Sequence, residues 1–278
     1  MRALHPAWCA LAALLVAMPG AAAGERRSGQ WVWCAADRDS FAAALRQRAD
    51  LLPAVWVGTI GWRDGAIALR LAHPPTFAAS PNGVALVVRF DDSVDALWRG
   101  GEPARAADQL AAKLAWLLAE SARLGVQPAE IQLDYDCPVR VLADWAALVR
   151  RLVAGPLAGR EVWLTSLPAH LAEPRYGDWF RPLVAGHILQ LFDNGAGFGP
   201  AQAEQTATRL AAAQLPFRLG LGAFERRRRS ADAASLPLTA HGAWRAALPR
   251  LTSTPWFRGV WVFPAGMRWS PDLLLEGR

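Results

Sequence analysis

Short runs rich in β-branched and aromatic residues recur along the chain, and longer stretches rich in alanine, leucine and arginine separate them. The short runs predict eight strands, at residues 30–34, 54–60, 84–90, 131–136, 161–167, 187–192, 217–224 and 259–263. The stretches between them predict helices, at residues 37–52, 104–124, 139–153, 175–184, 200–213 and 241–251. Strands that alternate with helices indicate an α/β fold with a parallel sheet.

The second unit breaks this alternation, because residues 61–65 predict a turn and residues 67–72 an extra strand where a helix would be expected. The chain has 278 residues, and a closed (β/α)₈ barrel typically takes about 250. The strand count and the length together predict a single TIM-type (β/α)₈ barrel, α/β in class, whose second βα unit is irregular. An open, doubly wound sheet is the alternative.

The first residues have a different pattern from the rest of the chain. Arg2 precedes an apolar run at residues 9–18, and a segment of small residues ending at Ala23 follows. This pattern is typical of a secretory signal peptide over residues 1–23, with the barrel domain at residues 24–278. We therefore expect a periplasmic or secreted protein with no integral membrane span in the mature chain. An uncleaved membrane anchor is the alternative, although the apolar run is short for a bilayer span.

Two aspartates stand two residues apart in the fourth predicted strand, within the sequence IQLDYDCP at residues 131–138. Side chains alternate across a strand, so Asp134 and Asp136 should share the face that points into the barrel. The carboxyl ends of barrel strands carry the active site in barrel enzymes. Because buried carboxylates are costly without a partner or solvent, this pair predicts a functional site, with Asp136 nearest the barrel mouth.

Arg89 lies in the third predicted strand, which should be the neighbour of the fourth. We expect it to form a buried ion pair with Asp134, which would keep Asp134 ionised and lower its pKa. Either the ion pair only stabilises the fold, or it also adjusts the pKa of Asp134 for a function. In both cases Asp136 is the better candidate for an acid/base residue.

Further polar residues are predicted near the same mouth. Gln190 and Asp193 end the sixth predicted strand, Asp92 follows the third, and Glu225 follows the seventh. Glycoside hydrolysis uses two carboxyl groups that flank the scissile bond, and Asp193 or Asp92 is the candidate second carboxylate. A plain turn is the alternative explanation for residues 193–195.

The chain contains 14 tryptophans, whose flat faces can stack on sugar rings. Trp33 and Trp261 are the predicted sugar platforms, and packing between barrel and helices is the alternative for each. Four arginines follow Glu225 and face either an anionic polymer or solvent. The net charge is +6, but no basic motif with interleaved aromatic residues is present, so no nucleic-acid partner is expected.

The sequence predicts no cofactor and no zinc site, because it has neither the Cys/His spacing of zinc ligands nor a phosphate-binding lysine motif. A third hypothesis is a metal-dependent hydrolase with Asp91, Asp134 and Asp136 as oxygen ligands. Cys34 and Cys137 follow strands on opposite sides of the predicted mouth. They are too far apart for a disulfide and are expected to be free thiols.

The segments at residues 31–33 and 131–138 resemble an uncharacterised bacterial family, domain-of-unknown-function family 3142, which implies no known reaction. More distantly, the strand-four Asp-x-Asp, with polar residues on strand six and tryptophan on strand eight, is similar to family 18 glycoside hydrolases, the chitinase-like barrels. In that family's D-x-D-x-E motif the final glutamate is the catalytic acid. Asp134 and Asp136 match the two aspartates, but Pro138 stands at the glutamate position.

Two main hypotheses follow. The first is an exported glycoside hydrolase of an envelope or extracellular polysaccharide, with Asp136 as general acid/base, Asp134 tuning it, and Asp193 or Asp92 as the second carboxylate. The second is a carbohydrate-binding protein of the cell envelope that does not hydrolyse its ligand, which Pro138 favours. In both, the partner is a polysaccharide or oligosaccharide, and the sequence sets no oligomeric state.

Overall fold

The computed structural model describes residues 26–72, 83–98, 103–126, 128–192, 199–223, 225–227, 237–239, 244 and 247–269. The predicted signal peptide lies outside these residues. In the part of the chain that is described, no helix combines the length and the apolar character needed to cross a membrane.

The strands in the described ranges are β1 (Gly29–Val32), β2 (Leu52–Arg63), β3 (Ala66–Leu71), β4 (Val84–Phe90), β5 (Pro128–Tyr135), β6 (Val162–Ser166), β7 (Gly186–Gln190), β8 (Phe217–Gly222), β9 (Glu225–Arg227), β10 (Pro237–Thr239) and β11 (Phe257–Phe263). Apart from β3, β9 and β10, they form a closed parallel barrel in chain order. β1 closes the ring, because it pairs in parallel with both β2 and β11. The predicted (β/α)₈ barrel is confirmed.

The helices are α1 (Ala35–Leu45), α2 (Pro103–Arg123), α3 (Leu142–Ala154), α4 (Tyr176–Phe180), α5 (Pro200–Ala213) and α6 (Leu248–Thr252). Apolar side chains that point out of the barrel, such as Leu133 and Leu164, pack with them into the main core. In α3, the buried residues Trp145, Val149 and Leu152 recur at helical spacing, so one stripe of the helix faces the barrel.

Three predicted helices differ from the observed ones. In the predicted range 175–184, the α-helix α4 covers only Tyr176–Phe180. The helix predicted at residues 37–52 ends at Leu45, and residues 46–51 connect it to β2. The helix predicted at residues 241–251 corresponds to the short α6, and part of that range lies outside the described residues. Pro249 falls in the first turn of α6, where a missing backbone N–H is tolerated, so the α-helix begins only just before it.

The second unit is irregular, as predicted, because β2 continues past the barrel and folds back on itself. Its residues 52–55 pair with β1, whereas residues 58–63 pair with the antiparallel β3. The turn is shorter than the predicted 61–65, since β2 runs to Arg63. Only Asp64 and Gly65, with φ of 51° and 75°, form the turn, as in a two-residue hairpin. The β2–β3 hairpin therefore rises above the end of β1 as one wall of the barrel mouth.

The amino-terminal half of the barrel interior contains a closed group of polar and aromatic residues, here called the basal network: Trp31, Glu130, Gln132, Trp163 and Arg218. Arg218 Nη1 donates to both carboxylate oxygens of Glu130, at 2.8 and 2.9 Å. Gln132 Nε2 donates to Glu130 Oε1 at 2.7 Å, and Trp31 Nε1 donates to Gln132 Oε1 at 2.8 Å. The Arg218 guanidinium lies 3.6 Å from the ring centroid of Trp163.

Trp261 packs beside this network and is completely buried. Its ring centroid lies 6.1 Å from that of Trp31. A Cβ atom on Gly29 would lie 2.7 Å from the Trp261 ring, so the glycine makes room for the indole in the narrow interior. The prediction that Trp261 is a sugar platform is therefore wrong, because neither face of its ring is accessible to a ligand.

Candidate active site at the barrel mouth

Asp134 lies at the carboxyl end of β5, and its side chain is only 7% exposed. Thr165 Oγ1 on β6 donates a hydrogen bond to Asp134 Oδ1 at 2.9 Å, and Gln190 Nε2 on β7 donates to the same oxygen at 3.4 Å. The Thr165 hydroxyl accepts a bond from the backbone N–H of Tyr135 at 3.1 Å, which directs its own hydrogen to Asp134. Two neighbouring strands thus hold this carboxyl group in one orientation.

Burial raises the pKa of Asp134 to about 6. Desolvation is the largest cause and Asp136 adds to the rise, whereas Arg89 and the hydrogen bond from Thr165 oppose it. Arg89 lowers the pKa of Asp134, as expected, but the net pKa is raised because the cost of burying the charge outweighs the attraction. Asp134 is a carboxyl group that exchanges its proton close to neutral pH.

Asp136 lies on the solvent side of this group. β5 ends at Tyr135, one residue earlier than predicted, and the Asp136 side chain beyond it is 40% exposed. Arg89 pairs with Asp134 in the register of β4 and β5. Its Nη1 lies 3.4 Å from Asp134 Oδ2, and its Nη2 lies 3.5 Å from Asp136 Oδ2. The expected ion pair with Asp134 is present, and the same guanidinium also reaches Asp136.

Aromatic rings lie beside the acids. Trp33 and Trp56 stack with ring centroids 5.2 Å apart and planes inclined by 19°. Phe263 meets Trp33 edge-on at 5.8 Å and stacks on Phe192 at 5.5 Å. The Arg89 guanidinium lies 5.3 Å from the ring centroid of Trp33. Trp33, a predicted sugar platform, is therefore one member of a half-buried aromatic group next to the acids.

Three buried polar atoms of this region have no hydrogen-bond partner among the described residues: Trp33 Nε1, Trp56 Nε1 and Thr59 Oγ1. They are half of the six such atoms found in that part of the chain. Thr59 is the register partner of Arg89. Two of the other three, Arg218 Nε and Trp261 Nε1, lie at the base of the barrel interior, so such atoms occur at both ends of the interior.

The other predicted site residues are less central. Asp92 is exposed and begins the 3₁₀ helix Asp92–Ala96 that follows β4. Asp193 lies outside the described residues, and so does the side chain of Glu225, whose backbone belongs to β9. The second carboxylate of the proposed chemistry therefore stays a prediction.

Asp91 does not join Asp134 and Asp136 as a third metal ligand. Its Oδ1 accepts hydrogen bonds from the backbone N–H of Ser93, at 3.0 Å, and from the Ser93 hydroxyl, so it caps the 3₁₀ helix. Within the described ranges, no three histidine, cysteine, aspartate or glutamate side chains form a group that could hold a metal ion. The hypothesis of a metal held by these three aspartates is therefore wrong.

Both cysteines in the described part of the chain are free, as expected. Cys34 is exposed after β1, and Cys137 is buried after β5. Burial raises the pKa of the Cys137 thiol well above its usual range. It is therefore a neutral thiol at physiological pH and not an activated nucleophile.

Four mouth residues were not predicted as part of the site. Thr165 ends a predicted strand, and Trp56 alternates with Ala54 in another, so period-two alternation could have found both. Thr59 could not be placed, because the register of β2 shifts between Trp56 and Gly58. Arg70 reaches the mouth only through the pairing of β3 with β2.

Comparison with solved structures shows which barrels the fold resembles. A chitinase from Chromobacterium violaceum aligns over 88% of this chain and 95% of its own, with a TM-score of 0.60 and 12% identity. A chitinase from Rhizomucor miehei aligns over 89% and 95%, with a TM-score of 0.51 and 12% identity. A spore cortex-lytic enzyme from Bacillus cereus aligns over 83% of this chain and 58% of its own, with a TM-score of 0.50 and 14% identity.

At these identities the similarity shows the fold alone. The chain has the fold of these barrels, and chitinases are among its structural neighbours. Comparison with protein-family models found no match, and comparison with curated protein sequences found none either. The resemblance to domain-of-unknown-function family 3142 therefore stays a prediction.

Proposed function

We propose that this protein is an exported glycoside hydrolase that acts on an envelope or extracellular polysaccharide. The observation that carries the proposal is the pair of Asp134 and Asp136, joined by Arg89 at the mouth of a glycoside-hydrolase-like barrel. In this pair, a carboxyl group with a raised pKa lies beside one that solvent reaches. The proposal of export rests on the sequence pattern of residues 1–23.

Cleavage of a glycosidic bond needs a proton for the leaving oxygen and a nucleophile at the anomeric carbon. Asp136 is exposed enough to touch the substrate, and it donates its proton to the glycosidic oxygen as the C–O bond breaks. A water molecule adds to the anomeric carbon and loses its proton to a second carboxylate, for which Asp92 and Asp193 are the candidates. Asp134 tunes Asp136, because both carboxyl groups share the charge of Arg89.

A carbohydrate-binding protein without hydrolysis is the second candidate, and one specific observation favours it. Pro138 occupies the position at which the family 18 motif has its catalytic glutamate. Pro138 has an extended backbone and precedes a 3₁₀ helix, so this position supplies no acid. In this case the acid pair and the aromatic rings bind sugar without cleaving it.

The test is the release of reducing ends from a panel of bacterial polysaccharides by the wild-type protein and by Asp136→Asn. We expect the wild type to release reducing ends and the variant to be at least about 100-fold slower, the usual loss for a general acid/base. Asp108→Asn on the outer helix α2 makes the same chemical change far from the acid pair and should keep full activity.

Two outcomes would count against hydrolysis at this site. Full activity of Asp136→Asn would show that another group supplies the proton. Absence of release by the wild type, together with measurable sugar binding, would leave the carbohydrate-binding protein.

A further inference from the structure

A row of four residues crosses the sheet from the β2–β3 hairpin to the acid pair. Arg70 on β3 pairs with Thr59 on β2, Thr59 with Arg89 on β4, and Arg89 with Asp134 on β5. Side chains of paired residues point to the same face of a sheet, so all four line the mouth. Adjacent strands lie about 4.8 Å apart, which puts Arg70 about 14 Å from Asp134 along the row.

The two arginines of this row have different surroundings. Arg89 pairs with two carboxylates, Asp134 and Asp136, at 3.4 and 3.5 Å. Arg70 is exposed, and no ion pair joins it to any of the described residues. Its guanidinium lies 5.7 Å from the ring centroid of Trp56, which holds it beside the mouth. An exposed guanidinium that forms no ion pair with the described residues suits a planar anion such as a carboxylate.

The wall between the two arginines carries hydrogen-bonding atoms that no described residue satisfies. Thr59 Oγ1 lies between them in the row, and Trp56 Nε1 belongs to the ring beside Arg70. Both atoms are buried, so a ligand reaches neither of them in this arrangement. The wall therefore offers a ligand the Arg70 cation beside the Trp56 ring, a combination that suits a sugar with a negative charge.

The position of the acids decides where such a charge can bind. A ligand carboxylate next to Asp134 and Asp136 would meet two groups of its own sign, which is unfavourable. At Arg70 it is separated from them by Thr59 and Arg89.

We propose that the mouth binds an acidic polysaccharide, and that Arg70 holds the carboxylate of a sugar unit in a subsite about 14 Å from the acid pair. This inference rests on the proposed function, since it names the substrate class of the same site. It makes Arg70 a residue that sets specificity, while cleavage belongs to the acid pair.

The test compares binding of acidic polysaccharides with that of the same polymers after reduction of each carboxylate to a neutral alcohol. Hyaluronan, alginate and polygalacturonate are the probes, and calorimetry on the purified protein gives the affinities. We expect at least one acidic polymer to bind about tenfold more tightly than its reduced form. Arg70→Gln should remove that preference and leave binding of the reduced form unchanged. Arg63→Gln, an exposed arginine nearer the tip of the same hairpin, is the matched control.

The proposal is overturned if no acidic polymer binds, if acidic and reduced forms bind equally, or if Arg63→Gln loses as much as Arg70→Gln. These outcomes are distinct from failure of the proposed function. Binding that depends on Arg70 without release of reducing ends would remove the hydrolase and keep the subsite. Hydrolysis of neutral polymers alone would keep the hydrolase and remove the subsite.

Discussion

The base and the mouth of the barrel interior contain the same residue types, an arginine with acids and tryptophans. They differ in how deeply the charged groups are buried and how closely they are paired. At the base, Arg218 and Glu130 have exposures of 1% and 0% and are joined by two hydrogen bonds of 2.8 and 2.9 Å. At the mouth, Arg89 is 38% exposed and is shared between two aspartates at 3.4 and 3.5 Å. At the base the charges balance, because the second acid near Arg218, Glu161 at 3.7 Å, also pairs with Arg27 at 3.3 Å. At its centre the mouth has two aspartates to one arginine.

The indole groups show the same contrast. At the base, Trp31 donates its N–H to Gln132, and Trp163 donates to Glu161. At the mouth, the N–H groups of Trp33 and Trp56 have no partner in the described part of the chain. The contrast is one of degree, because Trp261 Nε1 and Arg218 Nε at the base also have no partner in the described part of the chain.

The largest expected effect on stability comes from removing the buried arginine at the base. Arg218→Leu leaves the buried Glu130 carboxylate without its cation, and we expect a loss of about 3–5 kcal/mol in the free energy of unfolding. Thermal unfolding should move down by about 10 °C. As the control, Arg151→Leu removes an ion pair of similar length, 2.8 Å to Asp108, from the surface and should cost at most about 1 kcal/mol. Equal losses of unfolding free energy in the two variants would mean that the buried ion pair at the base contributes no more to stability than the exposed one.

The next effect tests the charge at the mouth through pH. The folded pKa of Asp134 is about 6 against the ordinary 3.8, so the folded protein binds the extra proton between these values. Below about pH 4, protonated Asp134 contributes its full share to the free energy of unfolding. That contribution, up to about 3 kcal/mol, is lost as the pH rises through 6.

Asp134→Asn has no such charge. The difference in free energy of unfolding between this variant and the wild type, measured in urea, should therefore change in favour of the variant by up to about 3 kcal/mol between pH 4 and pH 7. Asp108→Asn, at an exposed carboxylate, should show no comparable change. A constant difference between Asp134→Asn and the wild type across this range would contradict the raised pKa.

A smaller effect is expected at Thr165. Thr165→Val removes the hydrogen bond to Asp134 and leaves the N–H of Tyr135 without its acceptor, at a cost of about 1–3 kcal/mol in unfolding free energy. Because that bond lowers the pKa of Asp134, the pKa should rise further in the variant, as measured by carbon NMR of the carboxyl group. Thr165→Ser keeps the hydroxyl and should keep the wild-type pKa, so a rise in both variants would refute this role.

The smallest effect on stability should come from Arg89. Its ion pairs are long and it is partly exposed, so Arg89→Gln should change the unfolding free energy by about 1 kcal/mol or less. The pKa of Asp134 should nevertheless rise, because the nearest opposing charge is removed. The same carboxyl NMR titration measures it, with Arg140→Gln as the control. A large loss in unfolding free energy without a change in the pKa of Asp134 would contradict this prediction. It would mean that Arg89 has a structural role like that of Arg218 at the base.

Sequence pattern predicted much of the fold, because alternation of strands and helices depends on local periodicity and chain length. It also predicted that Arg89 and Asp134 would meet, since parallel strands adjacent in sequence are usually neighbours in a barrel. It did not predict that Trp261 is buried, because a tryptophan that faces the barrel interior has the same pattern at the base and at the mouth. The depth of a residue along the strand decides between them.

What the sequence determined by itself was local: the eight strands, the irregular second unit, and two aspartates spaced to lie near one strand end. What only the tertiary structure decided was which groups share an environment. Burial among β4, β5, β6 and β7 raises the pKa of Asp134 against the attraction of Arg89, and the pairing of β3 with β2 brings Arg70 to the mouth. Both depend on desolvation and register between distant segments, which no local pattern of residues encodes.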